Sequence, residues 1–253
     1  MTSVRKAALV AGILYLITFI AGIPPSFLYE PLFSNPQYVL GQGPEAPVAL
    51  GAFLDVVTGL AGVGTALALY SIVKRQHEGF ALGFVTTRVI EAASILVGAI
   101  GLLTIATLRQ TGTAGTDAAS MSAIGQALVA LRDWTHLFGP GLMPVLNAVL
   151  IGTLMYRSRL VPRAIPALGL IGAPILLSST LGTMFGINHT MSLWTGIATM
   201  PIFFWELAFG LWMTLKGFNP SVPILAGYRE GSTNDATSPA LPSRGAATTA
   251  GPA

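Results

Sequence analysis

Charged side chains interrupt the hydrophobic stretches of this chain in a pattern that could support ligand binding or proton transfer. Arg88 and Glu91 lie within an apolar run at 80–108, and Glu206 lies near the middle of another apolar run. Residues three positions apart share one face of a helix. An unpaired charge at the centre of a bilayer costs about 2.5 to 3.5 kcal/mol, so these side chains must face protein or water. We therefore predict that Glu206 reaches Arg88 and that a buried cluster forms with Glu91 and Asn147.

A second set of polar residues is expected nearer one end of the same helices. Asp55 lies on a face of small and polar residues, so it should point inward. Arg132, Asp133 and His136 begin a later apolar run. These four residues are predicted to form an outer polar cluster. Only three histidines are present and none has a metal-ligand spacing, so a hydrogen-bonded His136 is favoured over a metal site, and no cofactor is expected.

The chemistry that these clusters could perform is limited. An arginine between two carboxylates can bind an anionic group or relay protons. The simpler interpretation is a polar lock, in which buried ion pairs fix the register of the helices and do nothing else. The sequence contains no G-x-S-x-G, H-E-x-x-H or P-loop motif. We therefore expect no enzymatic activity.

Composition places the clusters in a membrane. Of the 253 residues, 53% are hydrophobic and only 9% are charged, whereas soluble proteins carry about 25% charged residues. The net charge of +3 is spread between hydrophobic segments and makes no basic face, which argues against a nucleic-acid partner and leaves the lipid bilayer as the expected one. The chain has no cysteine, so disulfides and thiolate sites are excluded.

Six apolar runs are long enough to cross a bilayer. They lie at about 7–29, 47–73, 80–108, 131–156, 164–187 and 192–216. The predicted fold is therefore all-α: a polytopic membrane protein with six transmembrane helices in one bundle, forming a domain over 1–217. Residues 218–253 are rich in Ser, Thr, Ala, Pro and Gly, and we predict a disordered cytoplasmic tail.

Basic residues predict the orientation of the bundle. Ten of the thirteen Lys and Arg residues fall on one side of the predicted spans: Arg5, Lys6, Lys74, Arg75, Arg157, Arg159, Arg163, Lys216, Arg229 and Arg244. Only Arg109 and Arg132 fall on the other side. Because cytoplasmic loops carry the excess of positive charge, both termini should be cytoplasmic.

Two connections on the opposite side have local signals of their own. The first is interrupted by prolines, and only a short helical piece around 37–40 is expected. In the second, Asp117 is a candidate N-cap for an amphipathic helix on the membrane interface. The apolar stripe of that helix is Met121, Ile124, Leu128 and Leu131. The helix should continue into the fourth span, with a kink at Gly139-Pro140-Gly141.

Several of these motifs together resemble one family. The motifs are Asp55, Arg88-Val-Ile-Glu91-Ala-Ala, Tyr156-Arg-Ser-Arg-Leu-Val-Pro-Arg163, Glu206-Leu-Ala-Phe-Gly-Leu-Trp212 and Lys216-Gly217-Phe218. The combination resembles the bacterial membrane proteins defined by domain of unknown function 4386, over roughly residues 5–220. The resemblance implies a multi-pass protein of the bacterial inner (plasma) membrane and carries no established activity, substrate or catalytic residue.

The sequence leaves two main functional hypotheses open. The first is a module that binds or permeates a small anionic or lipid-like molecule, which would enter beside the kink of the fourth span and meet Arg88. The alternative is a non-enzymatic membrane scaffold or regulatory subunit whose buried charges only fix helix packing. A cavity lined by Arg88, Glu91 and Glu206 and open to one side would favour the first.

The orientation can be tested with introduced cysteines, because the chain has none of its own. His77 lies in a predicted cytoplasmic turn and His189 in a predicted outward turn. We expect a membrane-impermeant maleimide to label His189→Cys in intact cells and to label His77→Cys only after permeabilisation. Labelling of both variants, or of His77→Cys alone, in intact cells would contradict the predicted topology.

Overall fold

Helices make up all of the regular secondary structure that the computed structural model describes, which covers residues 3–41, 43–111 and 117–226. The helices are α1 Ser3–Gly22, α2 Pro25–Leu28, α3 Glu30–Phe33, α4 Ala46–Val73, α5 Glu78–Thr111, α6 Ala118–His136, α7 Met143–Ser158, α8 Ala164–Met184 and α9 Leu193–Leu215. A π-helical segment, Leu137–Leu142, joins α6 to α7, and short 3-10 turns lie at Tyr38–Leu40 and Pro223–Leu225.

Six helical stretches are long and apolar enough to cross a membrane. They are Ser3–Phe33, Ala46–Val73, Glu78–Thr111, Ala118–Ser158, Ala164–Met184 and Leu193–Leu215. The prediction of an all-α protein with six membrane-spanning helices is therefore confirmed. The first stretch contains the predicted span at 7–29 and is divided by prolines into three helices, of which α1 ends at Gly22.

The six long segments form a ring in chain order. Each of α1, α4, α5, α7, α8 and α9 contacts the next, and α1 contacts α9 to close the ring. An even number of spans brings the start of α1 and the end of α9 to the same end, where the guanidinium of Arg5 donates to the carbonyls of Met213 and Thr214, each at 2.7 Å. These bonds satisfy carbonyls that the end of α9 leaves without helical partners. We call this the basic end and the opposite one the distal end.

Apolar side chains fill the half of the bundle toward the basic end. Trp205, Phe209 and Phe84 are among the largest fully buried residues there. Phe218, Val222 and Leu225 join the same core, so ordered structure continues past the boundary that the sequence placed at 217. The reason is that these three apolar residues are spaced to cover the ends of the helices. The rest of the predicted tail, 227–253, lies outside the described residues.

The distal end has a small core of its own. Tyr29, Leu32, Tyr38 and Val39 of the first connection pack with Val48, Leu102, Ile105 and Met121. Because α5 has 34 residues and is about 51 Å long, it exceeds the roughly 30 Å of a bilayer core and supports this layer. The short helical piece predicted at 37–40 is the 3-10 turn Tyr38–Leu40.

The fourth span begins with α6, as the sequence predicts. Asp117 caps α6 by accepting a hydrogen bond from the backbone N–H of Ser120 at 2.9 Å, and bonds from this backbone and from the Ser120 hydroxyl hold the pKa of the Asp117 carboxyl below its usual value. The predicted kink is a π-helical segment with Pro140 inside it.

Only part of the apolar stripe of α6 packs on the protein: Met121 is buried. Ile124 and Leu131 are 44% and 40% exposed, whereas Gly125 and Arg132 are buried. Gly125 lies against Val39, and Arg132 pairs with a carboxylate of α4. The side of α6 that faces the protein is therefore set by the ion pair of Arg132 and by the close approach of Gly125 to Val39. The pattern of apolar residues alone does not reveal these two contacts.

The contact between α8 and α9 gives a test of the packing. A Cβ on Gly169 would overlap the indole of Trp205, which is 1% exposed. Because overpacking a core costs about 1 to 3 kcal/mol, we expect Gly169→Ala to lower the thermal unfolding midpoint in detergent. Gly196→Ala is the matched control, since nothing lies within 4 Å of its Cβ position. Equal midpoints for the two variants would show that α8 and α9 are not packed as described.

Candidate functional site

Arg88 lies at the centre of the polar cluster predicted deep in the bundle. Its Nη1 is 3.1 Å from Glu91 Oε2, and its Nη2 is 2.7 Å from Glu206 Oε1. The predicted contact between the third and the sixth span is therefore present. The side chains are 5%, 12% and 15% exposed, so the charges are largely removed from solvent while both carboxyl groups keep some accessible surface.

Asn147 connects this ion pair to the middle of α7. Its amide nitrogen donates to Glu91 Oε2 at 2.9 Å, and its amide oxygen accepts a bond from the hydroxyl of Thr87. Asn147 is fully buried. The arrangement places all four residues of the predicted deep cluster in one hydrogen-bonded network.

Tyr15 of α1 is a member of the network that the sequence interpretation missed. Its hydroxyl accepts a bond from Arg88 Nη2 and donates to Glu206 Oε1 at 3.2 Å, and its ring lies 4.9 Å from the guanidinium carbon. A signal was present in the sequence. A tyrosine in the middle of an apolar span is far from either membrane surface, so its hydroxyl needs a protein partner.

The outer cluster forms around Arg132. Arg132 Nη2 is 3.3 Å from Asp55 Oδ2, and Arg132 Nη1 is 3.3 Å from His136 Nδ1. Tyr29 donates a hydrogen bond to Asp55 Oδ2 at 2.8 Å. Asp133 is exposed and does not join these residues, so its predicted place in the outer cluster is wrong. Adjacent helix positions point about 100° apart, and the inward turn of Arg132 directs Asp133 away.

An arginine, a carboxylate and a tyrosine come together in both clusters, first in the deep cluster and again farther from the basic end. Arg88 has Glu206 and Tyr15, and Arg132 has Asp55 and Tyr29, with the guanidinium carbon 5.6 Å from the Tyr29 ring centre.

A third set lies in the distal connection. Arg109 Nε is 3.2 Å from Glu45 Oε1, and its guanidinium lies 4.8 Å from the ring of Tyr38. Burial raises the pKa of the Tyr38 hydroxyl, which donates to the carbonyl of Pro44 at 2.6 Å. Each set combines an ion pair with a cation–π contact. Together these contacts replace the hydration that an arginine loses when it is buried.

A cavity of about 430 Å³ opens between the deep and outer clusters. Its polar lining includes Arg88, Glu91, Glu206, Asp55, Arg132 and His136. A second space of about 310 Å³ continues it toward α8 and shares His136, Pro140, Phe203 and Glu206. We call the two together the vestibule.

The rim of the vestibule is apolar. Ile23 and Phe27, which follow the end of α1, line it and are 47% and 74% exposed. Phe19 and Phe203 form the wall behind them, with ring centres 5.2 Å apart. The vestibule therefore has a charged floor and an apolar entrance.

Within 3–41, 43–111 and 117–226, no three His, Cys, Asp or Glu side chains are arranged to hold a metal ion. The carboxylates of both clusters are instead paired with arginine.

The role of Tyr15 can be tested by removing its hydroxyl. Because Tyr15→Phe takes one bond from Arg88 and one from Glu206 in a buried network, we expect a loss of about 1 to 3 kcal/mol in the free energy of unfolding. The measurement is thermal or denaturant unfolding in detergent. Tyr156→Phe is the control, since Tyr156 is 38% exposed and contacts Arg163 through its ring. An unchanged stability of Tyr15→Phe would exclude Tyr15 from the network.

Comparison with known proteins identifies a family. The sequence model of the domain of unknown function DUF4386 matches residues 10–217, a region that holds both clusters and the six spans. No curated protein and no solved structure matches the chain. Because the match covers most of the sequence, the chain belongs to the DUF4386 family, as the resemblance of its motifs predicts.

Proposed function

We propose that this protein binds a small lipid-like molecule in the vestibule, or lets it pass, within a bacterial plasma membrane and with both termini in the cytoplasm. The observation that carries the proposal is the cavity of about 430 Å³ between two charged clusters. Ligand sites in proteins typically have volumes of about 300 to 1,000 Å³. Close helix packing alone would leave no such space, because protein interiors are packed as densely as organic crystals.

The position of the rim supports a ligand that arrives from the membrane. Helix α1 has 20 residues and is about 30 Å long, which equals the thickness of a bilayer core. Ile23 and Phe27 therefore lie near the level of the distal headgroups if α1 begins at the opposite surface. An amphipathic molecule in that leaflet could place its polar end in the vestibule while its apolar part stays among Phe19, Phe27 and Phe203.

The expectation of an anionic ligand at Arg88 has less support than the expectation of a lipid-like one. Both Nη atoms of Arg88 already donate to Glu91, Glu206 and Tyr15. An anion would have to displace a carboxylate that lies in the same network. We therefore keep the lipid-like molecule in the proposal and omit the anionic group.

A polar lock remains the second candidate function. It is favoured by the mutual bonding of Arg88, Glu91, Glu206 and Asn147, which joins three of the six spans without any ligand. On that alternative the protein is a scaffold or regulatory subunit. The two candidates differ in whether the vestibule has to be available to a ligand. The binding proposal requires this, and the polar lock does not.

A variant with a larger side chain in the vestibule distinguishes the two candidate functions. Gly62 lines the cavity, and a Cβ there would meet only Arg88 Cδ, at 3.9 Å, so the first carbon of a side chain has room and Gly62→Leu adds bulk to the cavity wall. We expect the protein purified from bacterial membranes in a mild detergent to retain about one lipid per chain and Gly62→Leu to retain none, as measured by native mass spectrometry. Gly196→Leu, which adds the same side chain in open space outside the vestibule, should retain the lipid.

Equal lipid retention in all three proteins would contradict the binding proposal. Glu91→Gln then tests the lock, because it removes one charge and keeps the shape of the side chain. If the network only fixes packing, Glu91→Gln lowers the thermal unfolding midpoint and Gly62→Leu does not.

A further inference from the structure

We infer that the vestibule selects molecules whose polar end is cationic and donates hydrogen bonds, as a primary ammonium group does. This inference rests on the proposed function and names the chemical class of its ligand. It comes from an inventory of which polar atoms of the lining are already used and which still face the cavity.

Every Nη atom of the two arginines in the lining already has a protein acceptor. Arg88 and Arg132 donate through their Nη atoms to Glu91, Glu206, Tyr15, Asp55 and His136. The Nε atoms of both arginines lack an acceptor among the described residues, but they are buried. A bound molecule therefore cannot reach these Nε donors unless the guanidinium groups move.

Each carboxylate of the lining accepts hydrogen bonds from the protein through only one of its two oxygens. Glu91 accepts its bonds through Oε2, Glu206 through Oε1 and Asp55 through Oδ2. The second oxygen of each accepts no hydrogen bond from the described part of the chain, and it is not among the buried atoms without a partner. All three side chains line the cavity. Three carboxylate oxygens are thus open to a donor.

Three hydroxyl groups of the lining add further acceptors. Thr18, Thr58 and Thr199 donate their hydroxyl hydrogens to the carbonyls of Tyr15, Leu54 and Thr195 in their own helices. What each hydroxyl can offer the cavity is therefore a lone pair. This pattern is independent of the ion pairs and leads to the same ligand chemistry.

The charges agree with the hydrogen bonds. The lining holds two arginines and three carboxylates, which with a neutral His136 gives a formal charge of −1 before a ligand binds. Inside a low-dielectric bundle an uncompensated charge is costly. A singly charged ammonium would neutralise the site and donate up to three hydrogen bonds to the open oxygens.

The experiment uses a reporter inside the vestibule and three probes with one tail. Thr199 lines both parts of the vestibule, and the chain has no cysteine, so Thr199→Cys provides a single alkylation site. The rate at which N-ethylmaleimide alkylates Thr199→Cys is measured in detergent with increasing dodecylammonium, dodecanoate or dodecanol. Protection against alkylation gives an apparent Kd for each probe.

We expect dodecylammonium to bind at least about tenfold more tightly than dodecanoate or dodecanol, since charge-assisted bonds to carboxylates are the stronger ones. In the same background, Glu206→Gln and Asp55→Asn should each weaken dodecylammonium about tenfold and leave dodecanol unchanged. Two variants are used because Glu206 also pairs with Arg88, and gel filtration confirms that each is folded. Glu78→Gln, near the basic end and outside the vestibule, is the control.

Two other results would overturn the inference, and they have different meanings. If dodecanoate or dodecanol protects as well as dodecylammonium and Gly62→Leu abolishes that protection, the vestibule binds amphiphiles without the proposed selectivity, and the proposed function survives. If no probe protects Thr199→Cys, or if Gly62→Leu leaves protection unchanged, the vestibule is not a binding site and both proposals fail.

Discussion

The structure depends on one requirement: protein groups must balance the charge of Arg88, because its side chain is buried away from water. The guanidinium meets two carboxylates and a tyrosine hydroxyl that come from three different helices, α1, α5 and α9. Breaking a buried ion pair by removing one partner typically costs about 3 to 5 kcal/mol, because the remaining charge stays in low dielectric. These helices are therefore held in one register, and the closure of the ring by α1 and α9 coincides with the completion of this network.

The two halves of the bundle meet different demands. Toward the basic end, glycines let helices approach closely and aromatic rings fill the remaining space, as at Gly169 and Trp205. Toward the distal end, α1 stops at a proline and the fourth span changes to π-helical geometry at Pro140. The chain passes around the vestibule at these points instead of filling it. Rigid packing in one half thus supports an open, charged space in the other.

Much of this architecture can be predicted from the sequence. The length of the apolar runs identifies the six spans, and the cost of a charge in lipid predicts that Arg88, Glu91 and Glu206 turn toward one another. Three details are not fully accessible in this way. The rotation of α6 depends on the pairing of Arg132 with Asp55, so its apolar stripe does not identify the side that faces the protein, and the sequence wrongly places Asp133 in the outer cluster. The position of Tyr15 in an apolar span signals that its hydroxyl has a protein partner, but which partner depends on distances between helices. The vestibule depends on where backbones diverge.

The closure of the ring has a consequence for how the protein is made. Spans enter the membrane in the order of synthesis, and Glu206 belongs to the sixth one. Arg88 on the third span therefore waits through the insertion of three more helices with only Glu91 and the hydroxyl of Tyr15 beside it. During that interval Arg88 lacks the third of its partners, and the network is complete only when the sixth span is inserted.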